Sequence, residues 1–388
     1  VKENMKWQNN PLLIGASIVL IASAIWFIQT AKSPIESASH LLPNVQTAGS
    51  IQPFANNEND DYDPQREIPV KPFPLAPEFQ QIHGYINAPE GLSLKKDLQG
   101  KVVLVDFWTY SCINCIRTLP HLKEWHRKYA DKGLVIVGVH SPEFAFEKEF
   151  KNVLAAVENN GIEYPVILDN DFVTWRFYEN RFWPHKYLVD ADGYIRYDHI
   201  GEGGYDETEQ QIIELLMERD RNLQWSQQTS SVTPAPPDFS LIETPEIYLG
   251  YGFARQPLGN PENFQPGEIV SYQLPESFES NLAYLEGDWE NENDFVRLIS
   301  NTGKVALKYK ASKLNIVAGS PSESTLFIEL DDRPLGENAG DDVSKTDGRA
   351  MVKEQKLYNL VSSADYQSRT IVFEVNGKGF ELYTFTFG

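Results

Sequence analysis

Hydrophobic and polar positions divide the chain into stretches of different character. Residues 7–31 carry no charge, and residues 11–28 are almost wholly apolar, a run that at 1.5 Å per residue crosses most of a bilayer core as one helix. The pattern predicts a transmembrane signal-anchor over 11–31 after a cytoplasmic N-terminus at 1–10, where Lys2 and Lys6 set the orientation. Cleavage as a signal peptide at Ala22-Ser23-Ala24 is the alternative, and either route exports the remainder. Residues 32–77 hold eight prolines and the run Asn56-Asn57-Glu58-Asn59-Asp60-Asp61. They have little periodic hydrophobicity with which to offset the entropy of ordering, which predicts a disordered tether.

From residue 78 the signals alternate between strand and helix. Residues 79–94 read as hairpin-like, 102–107 as a central buried strand, 134–140 as a second, 146–160 as an amphipathic helix and 165–168 as a short strand. Residues 186–189 and 194–199 form a hairpin around the turn Asp190-Ala191-Asp192-Gly193, and 206–223 a closing helix. This is an α/β domain over 78–225, a mixed sheet flanked by helices. Gln, Ser, Thr and Pro mark a linker at 226–237. Over 238–388, short strands between turn residues predict an all-β sandwich or jelly roll.

Charge and cysteine count narrow the chemistry. With 34 Lys and Arg against 55 Asp and Glu, the net charge is −21, which argues against nucleic acid as a partner. The acidic stretches at 286–294 and 331–342 read as solvated loops. Two cysteines, Cys112 and Cys115, exclude a disulfide framework and any site needing four thiolates. His121 and His126, five apart on one helix, do not make a metal pair, and neither metal nor cofactor is expected. The CxxC spacing leaves structural, metal-binding and redox uses, and export of the chain favours redox. A helix starting at Cys112 stabilises a thiolate there and makes it the nucleophile, with Cys115 one turn deeper to resolve the mixed disulfide. Asp106 stands inside an apolar strand run, where a carboxyl tends to be protonated and can shuttle the proton of Cys115. His140 and Glu143, at the end of the next strand, are candidates for tuning the thiols.

The string Val105-Asp106-Phe107-Trp108-Thr109-Tyr110-Ser111-Cys112-Ile113-Asn114-Cys115, followed by Pro120 and by Phe182-Trp183-Pro184-His185-Lys186-Tyr187-Leu188-Val189-Asp190, resembles the thioredoxin superfamily. Within it the exported TlpA-like branch and the thioredoxin-like domain of DipZ proteins are most similar. Ser111 and Thr118 depart from the Trp and Glu usual at those positions. The resemblance implies a thioredoxin fold, a cis peptide at Pro184, substrate contact by Trp183, Pro184 and Trp108, and proton transfer through Asp106. It extends to the C-terminal domain, which resembles a carbohydrate-binding module; Tyr248, Tyr251 and Trp289 are candidates to stack on sugar rings there, core filling being the commoner role of aromatics in strands. The activity implied is thiol-disulfide exchange on exported disulfide-bearing proteins, at the outer face of the cell membrane. Electrons would come from a separate membrane protein if the pair works as a reductant. A peroxiredoxin-like thiol peroxidase, suggested by Thr109-Tyr110-Ser111-Cys112, and a non-catalytic surface protein that binds glycans or proteins are the alternatives.

Overall fold

The structure, a computed structural model, describes residues 69–223 and 237–388. The N-terminus at 1–10, the signal-anchor at 11–31, most of the tether at 32–77 and nearly all of the linker at 226–237 lie outside the described residues. Among the described residues no helix is long and apolar enough to cross a membrane.

The end of the expected tether is instead part of the fold. Leu75 bridges to Tyr194, the Ala76 amide donates to Gly193 O at 2.9 Å, and Pro74 O accepts from the Ile195 amide at 2.9 Å. Lys71 Nζ lies 2.7 Å from Asp190, 3.0 Å from Asp192 and 3.0 Å from Glu218. Backbone pairing and this charge cluster order a segment whose own hydrophobicity would not.

Six strands form the first sheet: β1 (Tyr85–Ile86), β2 (Val102–Trp108), β3 (Leu134–His140), β4 (Val166–Leu168), β5 (His185–Val189) and β6 (Ile195–Ile200). Their order is β1-β4-β3-β2-β5-β6. Strands β2, β3 and β4 are mutually parallel where they pair, while β5 runs antiparallel to β2 and β6 to β5. Every residue of β2 and β3 is buried, as expected of strands covered on both faces. The stretch read as hairpin-like does not pair with itself. Its only strand, β1, pairs with β4 at the sheet edge, and its apolar side chains Phe79, Leu92 and Leu94, joined by Leu98 just beyond it, cover one sheet face.

Period-two alternation decides which strand residues meet which helix. Val103, Val105 and Phe107 pack with Trp175 and Tyr178, from and just beyond α3 (Val173–Phe177), a short helix that sequence patterning missed. Val102, Leu104 and Trp108 pack on the other face against α1 (Ile113–Tyr129), α2 (Phe150–Asn159) and α4 (Tyr205–Arg219). Asp106 therefore belongs to the α1 face. The helix expected from 146 starts later, because Ala145–Lys148 is a tighter 3-10 turn.

The C-terminal domain is antiparallel throughout its named strands and comprises β7 (Ile247–Tyr248), β8 (Ile269–Tyr272), β9 (Ala283–Asn291), β10 (Val296–Leu298), β11 (Thr302–Lys310) and β12 (Lys313–Gly319). The remainder are β13 (Ser324–Leu330), β14 (Arg333–Pro334), β15 (Arg349–Val352), β16 (Lys356–Ser362), β17 (Ser368–Asn376) and β18 (Glu381–Phe387). Instead of the two separate sheets of a sandwich, these strands make one continuous 12-stranded sheet. Strand β9 links its halves, since residues 283–286 pair with β11 and residues 287–291 with β8 and β10. Gly287 sits at that junction with φ 101°, and a Cβ there would lie 3.1 Å from Ser300 Oγ and from Thr302 O. Gly287→Ala is expected to cost about 1–2 kcal/mol, read from urea unfolding; an unchanged midpoint would refute this role. Part of the expected acidic loop is β9 itself, where Glu286 pairs with Lys304 at 2.9 Å and Glu290 with Arg297 at 2.6 Å.

The two domains share a core. Tyr248, Val317 and Tyr383 belong to the same buried cluster as Cys115 and Trp125, and the Phe146 and Tyr383 rings meet edge-on at 4.8 Å. Tyr110 Oη donates to Gln355 O at 3.2 Å across the contact.

Candidate active site

The site starts where β2 ends. Cys112 is the N-cap of α1 (φ −77°, ψ 116°); its carbonyl accepts from the Ile116 amide at 3.0 Å, and its own amide donates to Thr109 O at 3.4 Å. It thus stands at the positive end of a 17-residue helix. Both thiols are free; Cys112 is half-buried and Cys115 is 1% exposed. Burial pushes the Cys115 thiol far up, helped by its hydrogen bond with Cys112 and by the charge of Asp106, against a backbone hydrogen bond at Thr109.

Glu147, which sequence reasoning missed, holds the approach to Cys112. Its Oε1 accepts from the Ser111 amide at 3.2 Å and the Ser111 hydroxyl at 2.7 Å, and its Oε2 from the amides of Glu143 at 2.6 Å and Phe144 at 3.0 Å. One buried carboxylate thereby ties the segment before the cysteines to the loop after β3. Burial raises its pKa, while these hydrogen bonds and one from Thr109 oppose the rise.

Asp106 is 1% exposed, and its Oδ1 has no hydrogen-bond partner. Burial pushes its carboxyl up to about 7, opposed by the charge of Lys186. Lys186 is directly opposite Asp106 in the antiparallel β2/β5 pair, so both side chains project from the same sheet face. Fully buried, with Nζ donating to Gly201 O at 2.9 Å, Lys186 has its pKa lowered by burial against the pull of Asp106, Cys115 and Glu202. Lys186 was also missed, although a lysine inside an apolar strand run is the same signal that singled out Asp106.

His140 is buried beneath Tyr110 and edge-on to Trp108, with Nε2 3.4 Å from Thr109 Oγ1. Burial pushes it down to about 3, leaving a neutral imidazole that supports the segment before Cys112. Trp108 is not a substrate contact: at 1% exposure it fills the α1 face of the sheet, over Gly138. Trp183 is half-buried, packed at 4.4 Å on Trp175, and its Nε1 donates to Ser141 O at 3.0 Å; its peptide bond to Pro184 is cis.

A cavity of about 390 Å³ opens in front of the nucleophile. Cys112, Glu143 and Trp183 line it from one domain, and Glu246, Tyr248 and Arg255 from the other. Tyr248 is therefore not a sugar-stacking residue: it is 5% exposed, and its hydroxyl lies 2.5 Å from Glu143 Oε1 and 2.8 Å from Glu246 Oε2. Trp289 is wholly buried in the C-terminal core, with Nε1 donating to Glu286 O, and cannot stack on a ligand either. Tyr251 is 37% exposed. No group of three or more metal-binding side chains occurs among the described residues.

A CxxC pair opening a helix above a mixed sheet, facing a cis-proline loop, defines a thioredoxin-like domain. Residues 75–198 match the AhpC/TSA family, and residues 244–388 match the thioredoxin like C-terminal domain. The chain is 39% identical over 260 residues to Protein DipZ of Mycobacterium tuberculosis, covering 67% of this chain and 37% of that protein. It therefore spans little more than a third of the DipZ relatives' length. It is 28% identical over 118 residues to the thiol-disulfide oxidoreductase YkuV of Bacillus subtilis, covering 30% of this chain and 79% of YkuV. The crystal structure of a thiol-disulfide isomerase from Corynebacterium glutamicum aligns with a TM-score of 0.33 at 26% identity, covering 36% of this chain and 96% of that one.

Proposed function

We propose that this protein is a thiol-disulfide oxidoreductase that exchanges disulfides in exported proteins, held at the outer face of the membrane by residues 11–31. The observation that carries the reading is a half-exposed thiol at the start of α1 paired with a buried thiol one turn deeper. In the reducing direction the Cys112 thiolate attacks a substrate disulfide, forming a Cys112–substrate bond and releasing one substrate thiolate. Cys115 then attacks Cys112 Sγ, its proton passing to Asp106, and the second substrate sulfur leaves as the Cys112–Cys115 disulfide closes. Trp183, joined by a cis bond to the buried Pro184, forms the surface on which an extended substrate segment lies beside the nucleophile. Electrons for this direction come from a separate membrane protein.

The full chain should accelerate reduction of insulin by dithiothreitol, and Cys115→Ser should accumulate mixed disulfides through Cys112. The peroxidase reading keeps support from the AhpC/TSA match over 75–198; it prevails if insulin is not reduced while hydrogen peroxide is consumed. Export predicts that a membrane-impermeant maleimide labels Cys112 in intact cells, and labelling only after lysis would overturn the placement. A glycan contact on the C-terminal domain rests on the exposure of Tyr251, and sugar binding that persists in Tyr251→Ala would remove it.

A further inference from the structure

We propose that Glu143 and Glu246, joined by Tyr248, form a carboxyl pair that stores one proton at the wall of the Cys112 cavity and exchanges it with the reacting sulfurs. The inference deepens the thiol-exchange reading and rests on it. It makes the C-terminal domain part of the active site, since Glu143 is 105 residues from Tyr248 in the chain.

The hydrogen-bond geometry carries the argument. A phenol has one O–H to donate, yet the Tyr248 hydroxyl has a carboxyl oxygen of Glu143 at 2.5 Å and one of Glu246 at 2.8 Å. With both carboxylates ionised, one of these contacts would set two acceptors against each other. One carboxyl must bring its own proton and donate to the phenol oxygen, so the trio holds one dissociable proton besides that of Tyr248. The charged and titratable groups around it are Glu147 and Cys112 on the thioredoxin-like side, Arg181 from the segment before Trp183, and Arg255 from the C-terminal domain. The Arg255 guanidinium lies 5.1 Å from the centre of the Tyr248 ring and offsets the single negative charge that remains. Burial, and then the neighbouring Glu246 charge, push Glu143 up to about 8, so the proton is retained at neutral pH. Burial also raises the pKa of Glu246.

In the freshly reduced protein the ionised pair takes the proton of the Cys112 thiol, leaving the thiolate. As the thiolate attacks a substrate disulfide, the substrate S–S bond breaks and the departing sulfur takes the stored proton. The next reduction of Cys112 delivers one proton with the new thiol, and that proton passes to the pair as the thiolate forms again. The two electrons move from the cysteines to the substrate disulfide, as in the parent reaction.

A proton donor matters for a leaving thiolate that is basic and little for one that is not. The test is single-turnover oxidation of the reduced full chain by bis(2-hydroxyethyl) disulfide, whose leaving thiol is alkyl, and by 5,5'-dithiobis(2-nitrobenzoate), whose leaving thiol is aromatic and acidic. For Glu246→Gln the ratio of the alkyl to the aromatic rate should fall about tenfold at pH 7. In the unsubstituted protein the same ratio should fall as pH rises through about 8, a step absent from the variant. Glu143→Gln and Tyr248→Phe provide the same readout if Glu246→Gln does not fold. A ratio unchanged in all three variants, or equal losses with both disulfides, would overturn the proton store and leave the exchange reading intact. Failure of the unsubstituted protein to react with either disulfide would instead overturn the exchange reading.

Discussion

Cys112→Ser is expected to lower insulin reduction by at least about 10³-fold, to the rate of dithiothreitol alone. A serine hydroxyl at the start of α1 is not ionised at neutral pH and cannot form the covalent sulfur bond that links enzyme to substrate. The loss should appear without unfolding. Cys112 is half-buried and its side chain makes no cap hydrogen bond, so the unfolding free energy should change by no more than about 0.5 kcal/mol. Cys115→Ser differs in kind, because the first attack survives and the intermediate accumulates. Retention of a tenth of the turnover in Cys112→Ser would show that the thiol at 112 is not the nucleophile, and would remove the basis for assigning Cys115 the resolving step.

Much of the thioredoxin-like sheet was legible because its strands are covered on both faces. A continuous apolar run such as residues 134–140 then marks its own ends, and β3 has those bounds. Residues 79–94 gave no such signal: their apolar side chains cap a sheet face without pairing, and only β1 forms a strand. At the site, Cys112, Cys115 and Asp106 were legible as residue types out of place in their surroundings. Lys186 gave the same signal but needed the β2/β5 register to acquire a meaning, since only pairing puts it opposite Asp106. Trp108, Tyr248 and Trp289 were misread for a related reason. An aromatic in a strand is buried or exposed according to register and to what packs on the sheet, and all three are buried, Trp108 and Trp289 in the cores of their own domains and Tyr248 in the contact between the two.

Interdomain contacts were the least legible feature, because nothing local encodes them. A Pro-rich boundary suggests a free module, yet Phe144 and Phe146 pack against Tyr383 and Tyr248 of the C-terminal domain. The signal lies in residues that look wasteful in isolation: two phenylalanines in a short loop after β3, and a glutamate preceding an apolar strand. Once the domains are packed, those aromatics exclude water and Glu246 faces the nucleophile's cavity. The second domain thus shapes what can reach Cys112.

Asp106→Asn should both slow closure of the Cys112–Cys115 disulfide and make the protein more stable with increasing pH relative to the unsubstituted chain. The second effect follows from linkage. The carboxyl has its model value of 3.8 when unfolded and about 7 when folded, because burial disfavours the charge more than Lys186 supports it. Between those values the unfolded chain has released a proton that the folded chain still binds, so stability falls as pH rises through the window and is constant again above it. A shift of this size corresponds to roughly 4 kcal/mol, in the direction opposite to that of a salt-bridged aspartate. Asparagine does not titrate, so the stability of the variant minus that of the unsubstituted protein should increase by about that amount from pH 3.5 to pH 8. The comparison between two pH values is the informative one, since the pull of Lys186 on the Asp106 charge is already contained in the folded-state value, and any packing cost of the amide is the same at both. Denaturant titrations of both reduced proteins across this range measure the difference. Parallel curves would place the Asp106 ionisation at its ordinary value and remove its claim to the Cys115 proton. A widening gap joined to slower release of the mixed disulfide would tie the cost in stability to the proton transfer that the buried carboxyl performs.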